Sequence, residues 1–178
     1  MRRRYDQTAH MYDERYAEEQ EAKYRAALQG LSVGAGSRVL DIGCGTGLFF
    51  SHVADEAEAV VGVDFSHQLL LQARDRTRQW RNVFLVRADA DRLPFKDDFF
   101  DFVFVFTVLQ NMPEPLETLK EAARTAAQGA SVVVTGLKKS FASEAFAEML
   151  QRAELVVVSL RDDETLKCYV AVGFKRRK

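Results

Sequence analysis

Seven short, almost wholly apolar runs punctuate the chain: "RVLDIG" (38–43), "AVVGVD" (59–64), "NVFLVRAD" (82–89), "DFVFVFTVL" (101–109), "ASVVVTGL" (130–137), "ELVVVSL" (154–160) and "KCYVAVGF" (167–174). Unbroken apolarity rich in Val and Phe suits strands covered on both faces, as in a parallel sheet. Between the runs lie longer mixed segments that read as helices. "GLFFSHVADEA" follows a cluster of glycines. "SHQLLLQARDRTRQW" opens on Ser66, a good N-cap type, and carries an apolar stripe of Leu69, Leu70 and Ala73. "PEPLETLKEAARTAAQG" has Pro in its first turn and Gly129 just past its end, and "SEAFAEMLQRA" is the last. This alternation predicts an α/β fold: a doubly wound, mostly parallel sheet with helices on both faces. The last two runs are joined only by "RDDETL", too short for a crossover helix, so they read as an antiparallel hairpin closing one edge. Residues 1–30 precede the sheet as a helical segment in which Tyr5, Tyr12, Tyr16 and Tyr24 keep near-helical spacing.

Composition narrows the class. The 178 residues suffice for one domain with a real core, and the expectation is a single domain over 1–178 with its sheet between 38 and 174. The net charge of −1 gives no global field to recruit nucleic acid or a membrane. Cys44 and Cys168 are far apart and have no metal-ligand spacing, so no metal is expected, and a reduced, cytoplasmic location is. The start "MRRRYDQTAH" lacks an apolar targeting segment, and no run approaches the ~18 apolar residues of a membrane span.

The chemistry concentrates at three strand ends. In "VLDIGCGTGLFF", Gly43, Gly45 and Gly47 fall in the first strand-to-helix turn, where an open α/β sheet places its ligand. Without Cβ atoms, main chain and helix N-terminus can lie against a polar or anionic group. The spacing is G-x-G-x-G, and Leu48 stands where a dinucleotide fingerprint needs its third glycine. Asp41 repels a pyrophosphate and favours a ligand that presents an ammonium. Asp64 ends the second strand, where a carboxylate can accept from both ribose hydroxyls. Asp89 followed by Ala90 ends the third, an acceptor and a main-chain donor that match an adenine edge.

"VLDIGCGTGLF", "VVGVDFS", "VRADADRLPF" and "FDFVFVFTVLQNMPEP" resemble, in order and spacing, the motifs of class I S-adenosylmethionine-dependent methyltransferases, in the branch of small quinone-biosynthesis-type enzymes. The resemblance implies a seven-stranded Rossmann-like sheet of order 3-2-1-4-5-7-6 with strand 7 antiparallel. It implies that S-adenosyl-L-methionine is bound and S-adenosyl-L-homocysteine released. Gly43, Gly45 and Gly47 would receive the methionine part and Asp41 its amino group. Asp64 would bind the ribose, Asp89 and Ala90 the adenine, with Phe65 and Leu93 on either side of the ring. The backbone near Phe106 and Thr107 would complete the pocket beside the sulfonium.

The acceptor is less marked. No histidine among His10, His52 and His67 stands in a catalytic arrangement, although His10 stays open. The loop after strand four reads Gln110-Asn111-Met112-Pro113, not the Asn/Asp-Pro-Pro-aromatic signature of methyltransferases acting on adenine or glutamine nitrogens. Gln110 and Asn111 are candidates to orient an acceptor, and Asn111 also fits a helix cap. Tyr5, Tyr12 and Tyr16 match the lid pattern of relatives, where an aromatic face attracts a cationic methyl, and equally fit helix-face packing. Arg74, Arg76, Arg78, Arg81, Arg92, Lys96, Lys138 and Lys139 outline a basic rim, with Asp75, Asp97 and Asp98 interleaved. RNA or a translation-related protein is the favoured acceptor and a small molecule the alternative. The third run is an apolar edge strand on which a small zinc-binding activator could dock, as in some translation-related relatives. A non-catalytic, methyltransferase-like scaffold and a nicotinamide dehydrogenase are the rival classes.

Overall fold

The structure is a computed structural model that describes residues 18–176. A helix over residues 18–28, α1, leads into β1 (Arg38–Ile42), a 3-10 turn (Leu48–His52), β2 (Ala59–Asp64), α2 (His67–Arg76) and β3 (Val83–Arg87). Then follow β4 (Phe100–Val105), a second 3-10 turn (Leu109–Asn111), α3 (Pro115–Thr125), β5 (Ala126–Leu137), α4 (Ser143–Arg152), β6 (Leu155–Arg161) and β7 (Cys168–Lys175). The sheet order is β3-β2-β1-β4-β5-β7-β6, and β7 runs antiparallel to both neighbours. This is the seven-stranded doubly wound sheet that the apolar runs and the terminal hairpin predict. No described helix is long and apolar enough to cross a membrane. Among the described residues no cluster of His, Cys, Asp or Glu could hold a metal ion.

Alternation along the central strands builds two cores. Leu40, Ile42, Val103, Val105, Val132 and Val134 pack with Leu119 of α3 and with Phe146 and Leu150 of α4. The opposite face carries Val39, Phe104, Val133 and Val170 against Tyr24 and Ala27 of α1, Phe49 and Phe50 of the first 3-10 turn, and Leu70 and Ala73 of α2. Asp41 lies two residues from Val39 on β1, so its side chain falls on the α1 side. That parity puts a carboxylate beneath a helix rather than at open solvent.

Two segments depart from their predicted form. "GLFFSHVADEA" is a 3-10 turn followed by loose turns, not a helix. Phe49 and Phe50 are consecutive and both essentially fully buried, so the turn has no outward face of regular helical period. Phe49 meets the rings of Tyr24, Phe104 and Phe106, while Phe50 lies over Gly62. α3 stops at Thr125, short of Gly129, because Ala126 joins the sheet opposite Phe100.

Gly62, in the middle of β2, matters for the site. A Cβ there would lie 2.4 Å from Phe50 Cζ and 2.9 Å from Cys44 Sγ, so the bare strand lets the glycine loop settle on it. Gly62→Ala should cost about 1–3 kcal/mol by overpacking, read as a lower urea midpoint at unchanged m-value. An unchanged midpoint would mean that the loop does not rest on this strand.

Candidate functional site

Sheet order reverses between β1 and β4, and the carboxyl ends of those strands open a cavity of about 310 Å³. Its wall includes Gly43 and Gly45 after β1, Asp64 and Phe65 after β2, Asp89 and Ala90 after β3, and Phe106, Thr107 and Asn111 after β4. A neighbouring cavity of about 30 Å³ runs under α1, where Gln20, Tyr24 and Asp41 meet the same glycine loop. The predicted binding residues Asp41, Gly43, Gly45, Asp64, Phe65, Asp89, Ala90, Phe106 and Thr107 thus line these two spaces, which share Gly43, Gly45 and Phe106 as walls. Gly47 lines neither; its φ of 76° turns the chain into the 3-10 turn beneath the Phe50 ring.

The glycine loop works differently from an anion cradle. Gly43 and Cys44 donate their N–H groups to the Val63 carbonyl at 2.7 and 2.9 Å, and Gly47 donates to Cys44 O at 2.9 Å. Gly45 donates to Asp64 Oδ2 at 3.0 Å. These amides are therefore engaged within the protein, and the glycines serve close approach and positive φ instead. At Gly43 (φ 74°) a Cβ would strike Val108 Cγ2 at 2.3 Å; at Gly45 (φ 56°) it would project into open space. Arg76 of α2 fastens the loop from outside, donating to Thr46 O at 3.0 Å.

Asp64 also accepts the Ser66 N–H at 2.8 Å, and Ser66 Oγ caps α2 by accepting from Leu69 N at 3.3 Å. Phe65 is half-exposed at the mouth, and Arg87 braces it through its carbonyl (3.1 Å) and from 6.0 Å off the ring centroid. Leu93, expected opposite Phe65, is instead 5% exposed within the α3-side core and absent from the cavity wall. Its N–H donates to Glu121 Oε2, and Arg124 binds its carbonyl, so the segment after β3 is stapled to α3 with this side chain inward. Asp89 is exposed, and its Oδ1 closes a local turn by accepting from Asp91 N at 3.1 Å.

Thr107 holds the left-handed φ of 61°, uncommon outside glycine. Four groups fix it there. Thr135 Oγ1 accepts its N–H at 2.8 Å, Gln110 and Asn111 donate side-chain amides to its carbonyl at 2.6 and 3.1 Å, and Lys23 Nζ reaches its hydroxyl at 3.4 Å. Strain of this kind persists where the surroundings over-determine it, typically at a functional wall. Gln110 is a brace for that strain and lies outside the cavity lining, whereas Asn111 braces and lines. His52 is paired with Glu21 at 2.9 Å, and Tyr5, His10, Tyr12 and Tyr16 lie outside the described residues. Sequence pattern did not reveal Gln20, Lys23 or Arg87, and it placed Arg76 in a basic rim rather than on the glycine loop. Lys23, Arg76 and Arg87 act through contacts distant along the chain, which no local period encodes.

Asp41 is 2% exposed, and burial, with nearby Asp64 adding to it, pushes its pKa up to about 8. Burial, with Asp41 and Asp64 nearby, pushes the Cys44 thiol well above its usual value.

The methyltransferase-domain family matches residues 40–134, just over half of the chain. The chain belongs to this family, the class I S-adenosylmethionine-dependent methyltransferases. A demethylmenaquinone methyltransferase of Staphylococcus saprophyticus is 36% identical over 112 residues, covering 61% of this chain and 48% of its own length. The chain spans about half the length of the curated relatives it matches. Among solved structures, a chain from the complex of the Haloferax volcanii Trm112 methyltransferase activator with a methyltransferase superposes with TM-score 0.89 at 20% identity, covering 99% of this chain and 98% of that one. A SAM-dependent methyltransferase from Aquifex aeolicus gives TM-score 0.76 at 18% identity, over 85% of this chain and 89% of the other. The residues present fit the methyl donor of such a methyltransferase. The main cavity is open above Gly45 and is bounded by Asp64, Asp89 and Phe65, and the buried Asp41 lines the small cavity on the other side of the same glycine loop.

The raised pKa of Asp41 has a consequence for stability. The folded chain keeps this proton while the unfolded carboxyl, with its ordinary value of 3.8, has lost it. Stability therefore falls as pH rises from that ordinary range to about 8 and levels off above it. Asp41→Asn, neutral throughout, should raise the melting temperature of the ligand-free protein, with a gain that widens up to about pH 8. The scale is about 2–4 °C for each kcal/mol. A gap independent of pH, followed by differential scanning calorimetry, would contradict a protonated, buried Asp41.

Proposed function

We propose that this chain transfers a methyl group from S-adenosylmethionine to an acceptor that approaches over the loop of Thr107, Asn111 and Met112. The observation that carries this reading is the convergence of three acidic strand tips and a bare loop on two adjoining cavities at the switch point. In it Gly43 and Gly45 give the donor's amino-acid part close access to main chain, with Asp41 behind. Asp64 takes the ribose hydroxyls, and Asp89 with the Ala90 N–H takes the adenine edge beside Phe65. When bound, S-adenosylmethionine supplies a methyl group already electrophilic on its positively charged sulfur. The chain's part is then to orient and to exclude water. Thr107, locked at its strained φ, and Phe106, 6% exposed, form a fixed wall, and Asn111 Oδ1 is left to accept a hydrogen bond from the acceptor. Among the described residues the wall of the main cavity contains no base besides Asp64 and Asp89. An acceptor atom that is nucleophilic without losing a proton first suits it.

RNA or a translation-related protein is the acceptor class we favour, with a small activator docked at β3. Among the described residues β3 pairs only with β2, and Phe84 on it is 53% exposed. Ala88, Asp89 and Ala90 follow it directly into the cavity wall, and Arg87 braces Phe65, so a partner on this edge would steady the nucleoside end. The likeness over nearly the whole chain to a chain of the Trm112 complex supports this arrangement. The basic rim supports it less: Lys138 is paired with Asp162, Arg78 with Asp75, and Arg76 with the glycine loop. The alternative, a small-molecule acceptor, draws on the demethylmenaquinone methyltransferase relatives.

Calorimetry should give binding of S-adenosylhomocysteine and none of NAD. Gly45→Ala should cost only about 1–2 kcal/mol of stability yet abolish that binding, because its new methyl enters open cavity; Asp64→Ala should abolish it too. Undiminished affinity in either variant would overturn the pocket. Tritiated methyl transfer into cell extract should label RNA or protein when the host's Trm112-type activator is co-purified. Phe84→Asp should break that co-purification without unfolding the chain. A monodisperse, fully active chain without a partner would instead dismiss the activator, and label confined to small molecules would favour the alternative acceptor.

A further inference from the structure

Residues 88–99 join β3 to β4 through turns, and of their side chains Leu93 is buried while the others are exposed or half-buried. A stretch with so few buried apolar contacts has little hold of its own. Its hold comes from α3, whose Thr118, Leu119 and Ala122 are fully buried. The Arg124 guanidinium donates to Leu93 O at 3.0 Å, to Phe95 O at 2.8 Å and to Asp97 Oδ1 at 2.7 Å, and it also bonds both oxygens of Glu121. Glu121 Oε2 in turn accepts the Leu93 N–H at 2.7 Å. One ion pair thus holds both main-chain groups of Leu93, and its hydrogen bonds keep the Glu121 carboxyl below the usual carboxylate range. Thr118 Oγ1 donates to Asp91 Oδ1, and the N–H groups of Asp98 and Phe99 bond to the carbonyls of Arg124 and Thr125.

We propose that Arg124, which stands outside the cavity wall, is a positioning residue that sets the donor site's selectivity for an amino-bearing purine through the segment carrying Asp89 and Ala90. The inference rests on the methyl-donor reading above, in which Asp89 accepts from the exocyclic amine and the Ala90 N–H donates to a ring nitrogen. Asp89 and its neighbours form a tight turn: Asp89 Oδ1 accepts the Asp91 N–H at 3.1 Å, and Asp89 O accepts the Arg92 N–H at 3.0 Å. The sheet fixes the front of this turn, where the Ala88 N–H bonds to Asp64 O at 3.3 Å. Its rear is fixed by Thr118, Glu121 and Arg124 through Asp91 and Leu93. A hypoxanthine edge presents a carbonyl where adenine has its amine, and an N–H where adenine has a bare nitrogen. Against a carboxylate and an amide in fixed places both contacts turn repulsive, whereas a turn free to shift relieves the mismatch. Lysine cannot replace Arg124 here, because a single ammonium keeps the charge beside Glu121 but lacks the planar fork that reaches Leu93, Phe95 and Asp97 together.

Calorimetric titration with S-adenosylhomocysteine and S-inosylhomocysteine tests this role. The unaltered chain should prefer S-adenosylhomocysteine roughly 10- to 100-fold, the scale of one hydrogen bond to a charged group. Arg124→Lys should remove most of that preference by weakening S-adenosylhomocysteine, with S-inosylhomocysteine nearly unchanged. A general loss of fold would weaken both ligands alike. Thr118→Val, close in shape and without the hydroxyl that holds Asp91, should shift the preference in the same direction and carries the test should Arg124→Lys not fold. Amide hydrogen exchange in either variant should quicken across residues 88–99 and stay unchanged in β1 and β4. Undiminished preference in Arg124→Lys, or equal weakening of both ligands, would overturn the positioning role while leaving the donor pocket standing. Failure of the unaltered chain to bind S-adenosylhomocysteine, or equal affinity for the two ligands, would overturn the reading of the nucleoside end as well.

Discussion

The carboxylate of Asp64 is the joint on which the site depends. One oxygen takes the Gly45 N–H at the end of the β1 loop, and the other takes the Ser66 N–H at the start of α2. A single side chain thereby fixes the spacing between the loop after β1 and the helix after β2. Because the Gly43, Cys44 and Gly47 amides bond to Val63 O and Cys44 O, the loop is held by the protein's own main chain. Arg76 on the outside and Gly62 underneath complete the restraint. What the glycines leave for a ligand is access, with affinity left to side chains at the strand tips and on α1.

That division gives the two acidic ends of β1 and β2 different tasks. Asp64 is satisfied by backbone donors and organises. Asp41 is buried on the α1 side of the sheet, lining the same small cavity as Gln20, whose amide oxygen has no partner among the described residues; its burial comes at a cost to the stability of the empty fold. After β4, Thr107 is likewise strained, held by Thr135, Gln110, Asn111 and Lys23 on the wall of the main cavity.

Much of this was legible in the sequence, for definable reasons. Strands covered on both faces appear as unbroken apolar runs, so all seven were located, and the short "RDDETL" link fixed the antiparallel hairpin. Asp64 and Asp89 were legible because each ends such a run, and Asp41 because it stands two residues before the first glycine of the loop. The reading failed where two local rules compete. "GLFFSHVADEA" has helical composition, yet two adjacent rings buried in different directions override it. Leu93 has the right place along the chain for a ring contact, but Glu121 and Arg124 turn it inward. Gln20 and Arg87 were invisible, and Arg76 read as a rim cation, because a polar residue on a helix or edge strand reads as solvated until its distant surroundings are known. The predicted lid tyrosines Tyr5, Tyr12 and Tyr16 lie outside the described residues.

The central claim is that one continuous cleft grips an amino-acid end at β1 and a nucleoside at β2 and β3. A crystal structure of the chain soaked with S-adenosylhomocysteine tests it most directly. The account predicts the ribose on Asp64, the adenine beside Phe65 and Asp89, and the amino group buried next to Asp41. Density elsewhere on the molecule, or a cleft closed by the protein's own side chains, would contradict it.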